Sequence, residues 1–308
     1  MWSPTESSSN VTADALTIGP VASRLLGGWR NGSVHAVFAQ VVYLSLDGGL
    51  LTIARTGIEA GPLTVQTDIP SGVDLRGAGI APRDRVRCAH EQIRIGDRWW
   101  ISLGRCRTWS PEPMPVEPSR QTVMRGLKAI RTWVPTDTLG RTLDDPGSER
   151  LVEITAAAIT DAGAWISAGA KGEPSWAVPL VGLGPGLTPS GDDFLGGAMI
   201  ALHAIGQARA AQRIWATICP SVSGTTPVSQ ALLSAAAEGV GSASVHQLLA
   251  ALLSGDAIYP ALGRLLRIGH SSGQDTLAGI VCVLVAGLQT KTRCLDAQAD
   301  RIDVPWQL

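Results

Sequence analysis

The chain has 308 residues, 45% hydrophobic and 17% charged, the make-up of an ordinary globular protein long enough for two domains. A net charge of -1 gives no electrostatic basis for a nucleic-acid or anionic-membrane partner. Five scattered cysteines (Cys88, Cys106, Cys219, Cys282, Cys294) include no CxxC pair, which argues against a disulfide framework and a structural zinc site. The N-terminal stretch lacks the basic and apolar regions of a secretory signal. The longest apolar run, 277–288, is 12 residues, short of the ~20 that span a bilayer. The expectation is a reduced, cytoplasmic protein.

From about residue 22 to 109 the pattern is strand-like. Residues 34–46 are rich in Val, Phe and Tyr and stop at Asp47-Gly48-Gly49, a hairpin signal, before 50–54 resume. Residues 86–95 alternate in part, turn at Gly96-Asp97 and return as 98–103. Short strands punctuated by Gly, Pro and Asp predict a small β-barrel or sandwich over 15–110. Four prolines within 110–118 (Pro111, Pro113, Pro115, Pro118) mark 111–118 as a linker. Beyond it the period turns helical, with helices expected near 119–134, 149–168, 193–206, 208–218, 227–238, 244–253, 257–268 and 274–288. The fold class is therefore α+β, a β-rich domain followed by a mostly α-helical one over 119–290. A polar tail is expected at 291–308.

Residues 180–197, LVGLGPGLTPSGDDFLGG, are the most informative stretch of the helical half. Gly182, Gly184, Gly186 and Gly191, with Pro185 and Pro189, describe a tight loop rather than a regular element. It feeds a helix whose apolar side starts at Phe194 and Leu195, and a glycine turn opening a helix presents several N–H groups to one point, which suits an anion. The feature recurs. Ser272-Gly273-Gln274-Asp275-Thr276-Leu277-Ala278-Gly279 matches 190–197 at Ser, Gly, Asp, Leu and Gly without a gap, so two such helix starts could share one site.

Capping alone accounts for part of this. Ser190 with Asp193, and Ser272 with Asp275, fit a Ser N-cap followed by an acidic third helical residue. It leaves Asp192 unexplained, because the second copy has Gln274 there. Asp192 is thus the leading candidate for chemistry. Mg²⁺ held by Asp192 or Asp193 and bridging to a phosphate is a further possibility, since two bare carboxylates would repel an anion. A Walker A loop would need Gly-Lys-Ser/Thr, and a dinucleotide fingerprint would place its third glycine at Leu187; neither pattern is present. His270, beside Gly269 and ahead of Ser271, Ser272 and Gly273, is either a general acid–base group or a tie for the turn. Thr225-Thr226-Pro227 reads as a capped helix start with proline in the first position. No Gly-x-Ser-x-Gly elbow supports covalent catalysis.

The segments 182–197, 225–239 (TTPVSQALLSAAAEG) and 268–279 (IGHSSGQDTLAG) resemble the AllH-like family, a bacterial domain family that includes one subunit of oxamate carbamoyltransferase. The likeness spans most of the helical half and, more faintly, the β-region. It implies a role in allantoin-derived nitrogen catabolism, with oxalurate plus phosphate interconverting with oxamate plus carbamoyl phosphate. It also implies work beside other subunits, one of them FdrA-like. On that expectation Gly184, Gly186, Thr188, Ser190, Gly191, Asp193, Ser271, Ser272, Gly273 and Asp275 bind substrate, while Asp192 and His270 handle the proton. Two other readings stand beside it: a non-catalytic interaction subunit, and a Mg²⁺-dependent hydrolase using Asp192, Asp193 and Asp275.

Overall fold

The strands of the N-terminal third close on themselves. The computed structural model describes residues 11–89, 91–114, 119–130 and 148–295. The chain divides between Pro111 and Glu112 into two units, Met1–Pro111 and Glu112–Leu308. In the first, β1 (Val11–Ile18) runs parallel to β8 (Trp99–Ser102) and antiparallel to β5 (Thr64–Thr67). The ring continues through β4 (Gly49–Ala54), β3 (Val41–Leu46), β2 (Arg30–Val37), β6 (Arg85–Ala89) and β7 (Gln92–Ile95) back to β8, an eight-stranded closed barrel. A short β9 (Arg107–Thr108) lies alongside β1. Eight strands leave an interior just wide enough for side chains to fill. Leu44, Leu51, Ile53, Val86, Ile93, Trp99 and Ile101 fill it, and the Trp99 indole N–H donates to the Ala78 carbonyl at 2.9 Å.

Of the two all-β alternatives, the barrel is the one adopted, and three details differ from the expectation. The run 34–46 is not one strand. It folds back at 38–40, where the Phe38 N–H donates to the Val41 carbonyl at 2.9 Å, in a turn without Gly or Pro to announce it. The run 86–95 is likewise a hairpin, β6 and β7 pairing antiparallel. The stretch near residue 22 is not a strand but α1 (Pro20–Leu25), with proline at its first position, while the closing strand β1 precedes it.

The second unit is helical: α2 (Arg120–Ile130), α3 (Ser148–Ser167), α4 (Ser190–Ala204), α5 (Ala208–Ile218), α6 (Pro227–Ala237), α7 (Ala243–Ser254), α8 (Ile258–Leu265) and α9 (Ser272–Leu295). Two 3₁₀ turns, Ser175–Leu180 and Cys219–Gly224, were not expected from the sequence. Residues 115–118 of the expected linker and 131–134 of the first expected helix lie outside the described residues, as do residues 296–308. α9 outruns its expected end and takes in 291–295, the start of the expected tail.

α4 and α9 form the centre of this unit. Phe194, Leu195, Met199, Leu277, Ile280 and Leu284 are buried between them and their neighbours. What lets them meet is the last glycine of each repeat. A Cβ on Gly197 would stand 2.2 Å from the Thr276 carbonyl oxygen, and one on Gly279 would stand 2.1 Å from that of Phe194. The helices therefore cross backbone against backbone, a separation that any side chain at either point would forbid.

Candidate functional site at two crossed helix starts

The local structure repeats further than the matched residues. Ahead of α4, the Leu183 N–H donates to the Leu180 carbonyl (3.1 Å) and the Gly191 N–H to the Leu183 carbonyl (2.9 Å). Ahead of α9, Ile268 donates to Leu265 (3.0 Å) and Gly273 to Ile268 (3.2 Å). A Cβ on Gly191 would lie 2.1 Å from the Leu180 oxygen, and one on Gly273 would lie 2.1 Å from the Leu265 oxygen. Gly184 (φ +112) and Gly269 (φ +58) both take left-handed backbone against the serine that opens the following helix. Eight positions separate Leu183 from Gly191 but only five separate Ile268 from Gly273, so the first turn carries three extra residues. That insertion hides the correspondence from an ungapped reading.

The capping expectation is corrected. The residue before α4 is Pro189, whose carbonyl accepts from the N–H groups of Asp192 and Asp193, both at 3.0 Å. Ser190 is already helical and its side chain caps nothing. In the same way the Ser271 carbonyl accepts from Gln274 (2.8 Å) and Asp275 (3.0 Å), and α9 begins at Ser272. One residue further into the helix than an N-cap, each serine is turned toward the opposite helix start.

The two starts therefore meet. Thr188 and Ser272 share a hydrogen bond between hydroxyls at 2.8 Å. Asp193, on α4, is flanked by the hydroxyls of Ser272 and Thr188; Asp275, on α9, is flanked by those of Ser190 and Ser271. Burial drives the Asp193 carboxyl well above the usual carboxylate range, and the charge of Asp275 adds to that against the pull of Ser272 and Thr188. Burial likewise pushes Asp275 up to about 6, opposed by Ser190 and Ser271. Among the described residues, Oδ2 of Asp193 and both carboxyl oxygens of Asp275 are shielded from solvent without a well-formed hydrogen bond.

Asp192 stands apart from this pair. Its Oδ1 accepts from the Gly182 N–H at 2.9 Å, and its Oδ2 accepts from the Thr225 hydroxyl. Burial pushes its pKa up, and the Thr225, Gly182 and Ser229 donors oppose the push. The neighbouring Thr226 is the N-cap of α6, accepting from the Ser229 N–H at 3.1 Å ahead of Pro227, as the sequence indicates. Its hydroxyl also donates to the Leu187 carbonyl. The pair Thr225-Thr226 thus ties the first glycine turn at two points, a role the sequence reading missed. The available signal was that a helix start needs one capping hydroxyl and this one has two.

Several backbone donors remain unspent. Among the described residues no protein acceptor meets the N–H groups of Gly184, Gly186, Leu187, Thr188 and Ser190 in the first turn, or of Ser271 and Ser272 in the second. Gly186 (φ +95) is exposed, with nothing within 4 Å of where its Cβ would be. His270 is exposed in the turn before α9, and no described interaction links it to Asp192. The two carboxylates considered for Mg²⁺ engage different partners, and no group of three or more His, Cys, Asp or Glu side chains among the described residues is arranged to hold a metal ion. No described helix is long and apolar enough to cross a membrane.

A closed β-barrel joined to a helical unit, with twinned glycine turns converging at a helix crossing, defines the class of protein. Residues 180–284, which contain the whole crossing, match the family model described as oxamate carbamoyltransferase subunit AllH. Residues 10–108 match the AllH family N-terminal domain. The chain belongs to the AllH family. No solved structure matches it.

Proposed function

We propose that this chain is a subunit of a carbamoyltransferase of the oxamate carbamoyltransferase type. Its paired glycine turns bind the phosphate end of carbamoyl phosphate, or phosphate itself, beside oxamate or oxalurate. One observation carries the reading: the Thr188–Ser272 hydrogen bond brings two helix starts, with their unspent N–H groups, to one place. Helix starts favour negative charge through both their free donors and their dipoles. The family description, naming a carbamoyltransferase subunit, supports the same chemistry.

In the phosphorolytic direction a phosphate oxygen attacks the carbamoyl carbon of oxalurate. The carbon–nitrogen bond breaks, and the oxamate nitrogen leaves with a proton. The N–H groups of residues 184–191 and of the Ser272 helix start face the charge that grows on the carbonyl oxygen, each such donor lowering the barrier by ~3 kcal/mol. Asp192 acts as a positioning residue by fixing Gly182 and Thr225 around the first turn. His270, exposed at the second turn, exchanges the proton with the nitrogen. The chain works in the cytoplasm, with an FdrA-like subunit and others, in allantoin-derived nitrogen catabolism.

Calorimetric titration of the purified chain with carbamoyl phosphate, phosphate, oxamate and oxalurate tests this. Saturable binding of the phosphate compounds is expected. In the assembled enzyme, Asp192→Asn should cut activity at least about tenfold by releasing the first turn; activity within a few-fold of wild type removes Asp192 from the mechanism. One observation favours a second reading, a non-catalytic interaction subunit. Both oxygens of Asp192 are occupied internally, so it forms no acid–base pair with His270 among the described residues. Binding by the complex but not by this chain would favour that reading.

A further inference from the structure

The carboxyl groups of Asp193 and Asp275 are ill suited to a site that holds only an anion. Asp275 is 0% exposed and neither of its oxygens has a well-formed hydrogen bond; Oδ2 of Asp193 is shielded and equally unpartnered. A buried acceptor left unmet costs about 1–3 kcal/mol, so nothing in the fold itself rewards this arrangement. The pair also lies in the first turns of the helices whose N–H groups draw negative charge, where either carboxyl, once ionised, would repel an incoming anion. The serines that flank them belong partly to the opposite helix, which sets both carboxyls at the seam of the crossing and not along the flank of one helix.

A ligand with its own N–H donors next to its anionic end reconciles the two features. We propose that Asp193 and Asp275 form the acceptor half of the site, receiving the NH2 of a carbamoyl or primary-amide group while the helix N–H groups hold the anionic end, so that the pair admits amide-bearing anions and turns away plain ones. An NH2 group has two hydrogens, and the crossing supplies one carboxyl from each helix. Discrimination of this kind works by exclusion as much as by attraction, because a ligand without N–H leaves the buried oxygens unmet. The inference rests on the anion-binding reading above and adds to it the residues that choose the ligand.

Acetyl phosphate and carbamoyl phosphate isolate the effect, because they share the phosphate and the carbonyl and differ by CH3 in place of NH2. The purified full-length chain should bind carbamoyl phosphate at least about tenfold more tightly than acetyl phosphate. Asp275→Asn and Asp193→Asn, which place an NH2 where an oxygen accepted, should each reduce that ratio at least about threefold. Equal affinity for the two compounds in the wild type overturns the inference and leaves the anion site standing. A ratio preserved in both folded variants overturns it as well. Failure of both compounds to bind the wild type overturns the anion reading, and this one with it. The wild-type comparison decides the matter even if a variant does not fold.

Discussion

The two glycine turns share their geometry but not their attachments. Both begin with a leucine carbonyl against which the helix glycine packs, and both end with a glycine at the α4–α9 crossing. The first turn is three residues longer and is tied by Asp192, Thr225 and Thr226 to the start of α6. The second has Gln274 in place of Asp192 and an exposed His270. The shared part is what crossing two helices at backbone contact demands. The unshared part is what a loop with several free N–H groups needs if it is to hold its shape, since such a loop has little packing of its own.

The comparison breaks most sharply at the shared glycines. Gly279→Ala puts a methyl 2.1 Å from the Phe194 oxygen, and Gly197→Ala puts one 2.2 Å from that of Thr276. Each should destabilise the helical unit by about 3 kcal/mol or more, read as a lowered Tm. Gly196→Ala, on the same helix, has no neighbour nearer than 4.0 Å and should be neutral or slightly stabilising.

Next in size is a pH effect set by the buried carboxyls. Asp275 is raised in the folded protein to about 6 from an ordinary 3.8, so folding favours its neutral form. That contribution is complete below about pH 4 and is lost as pH rises through about 6, at a cost on the order of 3 kcal/mol. Asp192 and Asp193 are shifted the same way and act with the same sign. His246, pulled down by burial to about 4, acts with the opposite sign over much of the same range. The carboxyl contribution is therefore read by difference: in denaturant melts the wild type should lose stability relative to Asp275→Asn between pH 4 and pH 7. A difference between wild type and Asp275→Asn that stays constant over this range would show that Asp275 is not buried as described.

The attachments can be tested at equivalent positions. Asp192→Ala strands the Gly182 N–H and the Thr225 hydroxyl and should cost about 2 kcal/mol. Gln274→Ala, its counterpart in the second turn, should change stability by less than about 0.5 kcal/mol. Equal effects in a melting comparison would erase the distinction between a tethered and an untethered turn. A loss smaller than that of Asp192→Ala is expected for Thr226→Ala, about 1 kcal/mol through loss of the α6 cap, with faster hydrogen exchange in the first turn.

Much of the helical half was legible because apolar periodicity and helix punctuation are local. α5 runs over the residues its pattern marks, and Pro227 stands at the first position of α6. The barrel was harder to read. β1 closes it through a parallel pairing with β8, more than eighty residues away, and no local pattern encodes such a partner. The turns at 38–40 and between β6 and β7 were missed because the residues there carry no strong turn chemistry, leaving each hairpin to look like one long strand.

The site divides along the same line. The repeated Ser-Gly-x-Asp-x-Leu-x-Gly pattern was visible, and with it Asp193, Asp275 and both helix starts. The roles of the serines were not. A one-residue change in helix position turns a cap into a contact with another helix, and helix ends cannot be located that finely from propensity. The attachment of Asp192 to Thr225 was also hidden, because it joins residues 33 positions apart.

The sequence alone determined a β-rich region followed by a helical one, a pair of glycine turns opening apolar helices, and an acidic residue at matching points in each. Those follow from short-range rules of backbone freedom and periodic burial. Only the tertiary structure decided that the barrel closes, that the turns face each other, and that each carboxyl is flanked by a hydroxyl of the opposite helix. These depend on how closely two backbones can approach, and the glycines at 197 and 279 permit that approach without specifying which partner will fill it.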